Sequence, residues 1–76
     1  MKGLVEVLAK ALVDQPDEVS VVEVEGETNI LVEIKVAPED VGKIIGKQGR
    51  IIRAIRTLAK SVAQKQRKNV SVELWQ

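Results

Sequence analysis

Two glycines, Gly46 and Gly49, enclose Lys47 and Gln48 within the run Val41-Gly42-Lys43-Ile44-Ile45-Gly46-Lys47-Gln48-Gly49-Arg50-Ile51-Ile52-Arg53. Glycine interrupts a helix cheaply because it lacks Cβ and tolerates positive φ. The pair predicts a tight turn with a cation and an amide at its tip. A helix starting at Arg50 would present unpaired N–H groups and a positive dipole end beside it. That combination holds anions, and a phosphodiester is the obvious one. A nucleotide P-loop is excluded, since Gly42 and Gly46 enclose three residues rather than four and Lys47 precedes Gln48 rather than Ser or Thr. A dinucleotide fingerprint is excluded by the glycine spacing and by the lack of a parallel βαβ unit around it.

Little else in the chain offers chemistry. There is no cysteine and no histidine, so thiol chemistry, disulfides and structural zinc are ruled out, and the usual general base near neutral pH is absent. Ser20, Ser61 and Ser71 have no base beside them in any motif. The acid pairs have plain structural uses: Asp14 and Asp17 flank Pro16 as turn residues, and Glu39 and Asp40 follow Pro38 in a helix's first turn. Catalysis is the weakest reading, and no cofactor or metal is expected.

The elements that must position the loop can be read in order. Residues 3–13 predict a short helix with Leu4, Val5, Leu8, Ala11 and Leu12 on one face, stopped by Pro16. Residues 18–25 predict a strand whose adjacent Val21 and Val22 imply a bulge or burial on both faces. Gly26 supplies a hairpin turn, and residues 29–36 alternate as a second strand with Ile30, Val32, Ile34 and Val36 inward. A helix from Pro38 to Ile45, the glycine turn, and a helix from Arg50 to Arg67 or Lys68 come next. The second has an apolar arc of about 180°, against the ~100° that one packing surface needs. Two packing partners are implied. Asn69 ends it, and residues 70–75 form a last strand with Val70, Val72 and Leu74 inward. Trp75, the sole aromatic, reads as edge packing or an interface contact ahead of base stacking. The order α-β-β-α-α-β gives an α+β fold, a three-stranded sheet with three helices on one face.

The 76 residues predict one domain, marginal at this size without association. No stretch approaches the roughly 20 apolar residues of a membrane span and no leader is visible, so the expectation is a cytoplasmic protein. The net charge of +1 hides a division at the loop. Residues 1–42 carry three lysines against ten acids, a net of −7; residues 43–76 carry nine Lys or Arg against Glu73 alone, a net of +8. Such asymmetry fits nucleic-acid binding by the basic half, or two solvated faces that attract each other.

Residues 44–52, with aliphatics on both sides of a G-x-x-G that holds a basic residue, resemble the nucleic-acid-binding loop of the K-homology (KH) domain. There the loop clamps the backbone of about four nucleotides between two helices. Two strands before the helix pair and one after are similar to the type II, bacterial-type topology. At closer range, residues 36–50 and Ala54-Ile55-Arg56-Thr57-Leu58 resemble the small stand-alone bacterial KH proteins of the KhpA (YlqC-like) family. The resemblance covers essentially the whole chain as a single KH domain, 1–76.

The resemblance implies that Gly46 and Gly49 admit the backbone of single-stranded RNA. Lys47 and Arg50 add charge, Gln48 a polar contact, and Lys43 and Arg53 flank the track. Ile44, Ile45 and Ile52, with residues of the second strand, would form an aliphatic groove floor. Stacking platforms of other single-strand binders need aromatics that this chain lacks. The resemblance further implies a role as an RNA chaperone or post-transcriptional regulator. Its partner would be a second copy or a larger Jag-type protein with its own KH domain. The alternative is a dimerisation or scaffold module with little intrinsic RNA affinity.

Overall fold

Alternating apolar residues build the sheet, and β2 (Asn29–Lys35) is its centre. A computed structural model describes residues 1–75, the side chains of residues 47, 48 and 75 excepted. The expectation for Trp75 and the side-chain contacts expected of Lys47 and Gln48 therefore lie outside the described residues. β1 (Ser20–Glu25) pairs antiparallel with β2, and β3 (Asn69–Trp75) pairs parallel with it. Ile30, Val32 and Ile34 are sealed from solvent beneath the helices. Burying side chains of this size is worth about 1.5–3 kcal/mol each.

β1 runs in unbroken register from Ser20 opposite Lys35 to Glu25 opposite Ile30, so it neither bulges nor buries both faces. Val21 points into the core while Val22 and Val24 point away from it. The adjacent valines are simply on opposite faces. Residues 16–18, the approach to this strand, form a single 3-10 turn.

Helix α1 (Lys2–Leu12) turns a different face inward from the one expected. Val5 and Ala9 are buried, whereas Leu4, Ala11 and Leu12 are exposed and Leu8 is half-buried. The helix is apolar over too wide an arc for spacing alone to choose the core side, and Glu23 ties its start to the sheet. From the inward side of β1, Glu23 accepts from the Lys2 amide at 2.8 Å and sits 3.8 Å from the terminal amine, fixing the helix start over the sheet.

The two expected helices form one helical span, α2 (Pro38–Lys65), bent rather than separated by a loop. Gly49 has φ of 73°, a left-handed residue that cannot continue a straight right-handed helix. The break is concentrated there instead of being spread over Gly46 to Gly49, and the α-β-β-α-α-β order stands with the arms meeting at one residue. The second arm ends before Asn69 by another device. Arg67 adopts φ of 57°, with Arg67 N–H donating to Gln64 O and Lys68 N–H to Ala63 O. This is a Schellman closure with Arg in the place glycine usually takes, so no glycine marks it in the sequence.

Candidate nucleic-acid interface

The first arm of α2 is held rigidly at its start. Asp40 is 1% exposed, and its carboxylate accepts from the amides of Asp14 at 3.1 Å and Gln15 at 3.0 Å. Glu39 accepts from the Gln15 side-chain amide, and Lys43 donates to Asp14 at 2.7 Å. The acids placed at the helix start by dipole chemistry thus also tie it to the turn after α1. Sequence spacing could not show this, because the partners lie about 25 residues apart. The Asp14 carboxylate that accepts from Lys43 holds the Lys43 pKa above the ordinary lysine value. Among the expected basic residues whose side chains are described, Lys43 is therefore the one already paired.

From Asp40 the arm rises through Ile44, which is fully buried, to Ile45, which is 50% exposed. Ile52, on the far side of the bend, is 7% exposed and belongs to the core. Of the three aliphatics expected as a groove floor, Ile45 alone offers substantial surface; the other two anchor the arms on either side of Gly49. The bend itself is partly open, with Gly46 and Gly49 half-buried and Arg50 and Arg53 exposed. Among the described residues neither arginine makes an ion pair. A left-handed glycine beneath unpaired arginines, at the start of a helical arm, lets a phosphate approach main chain and charge together.

Beyond the bend, the second arm and β3 border a cleft of about 560 Å³, lined among others by Arg56, Lys60, Gln64, Lys68, Ser71 and one carboxylate, Glu73. Arg56 reaches across it in a long forked contact, Nε and Nη2 each 3.4 Å from Val72 O on the strand. Arg56 and Lys60 are outside the expected site. The i,i+4 repeat of polar and basic residues on the second arm was the available signal, but the strand that turns it into a cleft comes from elsewhere in the chain.

A sequence family model described as KhpA/KhpB, KH domain, matches residues 2–74. The chain belongs to this KH-domain family. Curated relatives share nearly its full length. An RNA-binding protein KhpA from Clostridium acetobutylicum is 62% identical over 74 residues, covering 97% of this chain and 99% of that protein. The RNA-binding protein KhpA of Chlamydia trachomatis is 49% identical over 76 residues, 100% of this chain and 97% of the relative. That of Aquifex aeolicus is 47% identical over 74 residues, 97% and 94% respectively. No solved structure matches. The helix pair that meets at Gly49 and the mixed three-stranded sheet have the element order expected of a KH domain.

On its other side the second arm meets α1 in an apolar groove of about 530 Å³, lined by Leu8, Leu12, Ala54, Ile55, Thr57, Leu58 and Ser61. The wide apolar arc is divided between Ile52, Ile55, Ala59 and Ala63 in the core and Ala54 and Leu58 along this groove. Among the described residues, no helix is long and apolar enough to cross a membrane.

Proposed function

We propose that this KH domain binds single-stranded RNA without catalysis, as a cytoplasmic RNA chaperone or post-transcriptional regulator. Residues 1–76 act as one such module. The observation that carries the reading is the Gly49 bend with Arg50 and Arg53 exposed beside it, in a family whose relatives are named RNA-binding proteins. The backbone enters at Gly46-Lys47-Gln48-Gly49, where N–H groups opening the second arm and the Lys47 and Arg50 charges meet phosphate oxygens. Gln48 adds a polar contact and Arg53 extends the track. Lys43, neutralised in part by Asp14, guards its entrance. Ile45 supplies the apolar contact for a base, with Ile44 and Ile52 setting its height from below. The strand then continues towards the cleft of Arg56 and Lys60.

Few phosphates are neutralised, so one domain binds weakly, with a salt slope of about −0.7 for each phosphate engaged. Replacing Lys47 and Gln48 together by Asp is expected to lower affinity for a short single-stranded RNA by about 100-fold or more, through like-charge repulsion at each phosphate. Circular dichroism and thermal melting should be unchanged. Fluorescence anisotropy reads the binding, and unchanged affinity in the folded variant contradicts the assignment.

A second reading, a dimerisation or scaffold module, is favoured by the apolar groove between α1 and α2. We propose that a second copy occupies it: Leu8, Leu12 and half-buried Leu58 line an aliphatic surface that a two-fold axis can bring against its own copy. A larger Jag-type KH protein is the heterodimeric alternative. Light scattering with and without RNA separates self-association from RNA-driven assembly.

A further inference from the structure

Apart from Ser71 and Glu73, which also line the Arg56–Lys60 cleft at the β3 edge, the open face of the sheet is used by neither reading. In β1 the outward residues are Val22 and Val24, 51% and 56% exposed, and half-buried Leu31 lies opposite Val24 on β2. The next row across the sheet is Val22, Glu33 and Glu73, which the register sets side by side on the three strands. The four carboxylates of the sheet divide by face. Glu23 and Glu25, on the inward side, are paired, one with the start of α1 and the other with Lys68. Glu33 and Glu73, on the outward side, make no ion pair among the described residues. Lys35 shares their face one row further on and reaches neither within ion-pair distance. Like charges directly opposite on neighbouring strands destabilise a sheet, and bare valines on an edge strand invite unwanted association. Strand propensity alone would be met as well by threonine.

We propose that this face is a docking surface for a basic amphipathic helix of a partner protein. Its aliphatic side would cover Val22, Val24 and Leu31, and a Lys or Arg would settle between Glu33 and Glu73, replacing their repulsion with two attractions. The size fits: three strands at about 4.8 Å spacing span the width of one helix, about 10–12 Å. RNA is the wrong occupant, because the two carboxylates repel phosphates. A second copy meeting this face with its own brings four carboxylates together.

A photocrosslinking residue placed at Val24 of the full chain, expressed in its own cells, tests this by sequencing the peptide it captures. The same residue at Val7, which is exposed on α1, is the comparison. The expected adduct at position 24, absent at position 7, is a helical segment with Lys or Arg flanking aliphatics. Its yield should fall about ten-fold in the E33K/E73K double variant, a loss consistent with reversing two rim charges. RNA affinity of that variant should not fall, and its melting temperature shows whether it is folded. An adduct with RNA, with another copy of this chain or with an acidic segment, no adduct, or an undiminished yield in the folded variant each overturns the proposal.

Discussion

The second arm of α2 borders two clefts of nearly equal volume and opposite chemistry, about 560 Å³ against β3 and about 530 Å³ against α1. One is lined by Arg56, Lys60 and Gln64, the other by Ala54, Leu58 and Ser61, all from the same helix. Volume therefore says nothing about use here; the side chains do. A cation-lined cleft beside the exposed edge of a strand suits a polyanion that also needs hydrogen-bonding partners. An aliphatic groove suits another protein surface. On the proposed reading, the two lie on different flanks of one helical arm, so that RNA and a protein partner would not compete for residues.

That division can be broken from either side. The largest expected effect is Leu58→Glu, which places a charge in the apolar groove. Self-association is expected to weaken by about 100-fold, as for an unpaired charge buried at an interface. Affinity for an RNA short enough to occupy one domain should stay the same. Sedimentation velocity and anisotropy on the same sample check both halves of the prediction. Reversing the other flank, Arg56→Glu with Lys60→Glu, is expected to cost about ten-fold in RNA affinity. It should also flatten the salt slope by about 0.7 for each phosphate no longer neutralised, and leave the oligomeric state as in the wild type. If Leu58→Glu removed RNA binding and the Arg56/Lys60 variant only dissociated the protein, the assignment of the two clefts would be reversed.

The smallest effect concerns the salt bridge at the far end of the arm. Lys68 donates to Glu25 and holds its carboxyl below the ordinary value of 4.5, chiefly through that hydrogen bond. A group whose folded pKa is depressed stabilises the fold above its unfolded value and loses that contribution as pH falls through the folded one. Lys68→Ala should lower Tm slightly at pH 7. The difference from wild type should disappear as pH drops below Glu25's lowered pKa, which thermal melts across the acid range would show.

Much of this architecture is visible in the residues alone, and the exceptions share a cause. β2 was legible because Ile30, Val32 and Ile34 alternate on a strand buried on one face. The neighbourhood of the break was legible because glycine spacing is local, although the break lies at Gly49 within one helical span and not across a Gly46–Gly49 turn. The inward face of α1 was not, since the helix is apolar over most of its surface and its start is tied down by Glu23, far along the chain, while Val5 and Ala9 are the residues buried. Arg67 in a left-handed cap carries no glycine to announce it. Ile44 belongs to the core although its neighbour Ile45 is open, because the arm's rotation is fixed by Asp40 gripping the Asp14–Gln15 turn. Each miss depends on residues that meet in space but lie far apart in sequence, or on a backbone conformation taken by an unexpected residue type.

The central claim is that RNA lies on the bend and the basic flank of α2, away from the apolar one. A titration of the isotope-labelled protein with a short single-stranded RNA, followed by amide chemical shifts, tests it residue by residue. The largest shifts are expected at Gly46, Gly49, Arg50 and Arg53 and along Arg56 and Lys60, with Leu8, Leu12 and Leu58 unmoved. Shifts centred on the α1 groove, or a silent Gly46–Arg53 segment at saturating RNA, would contradict it.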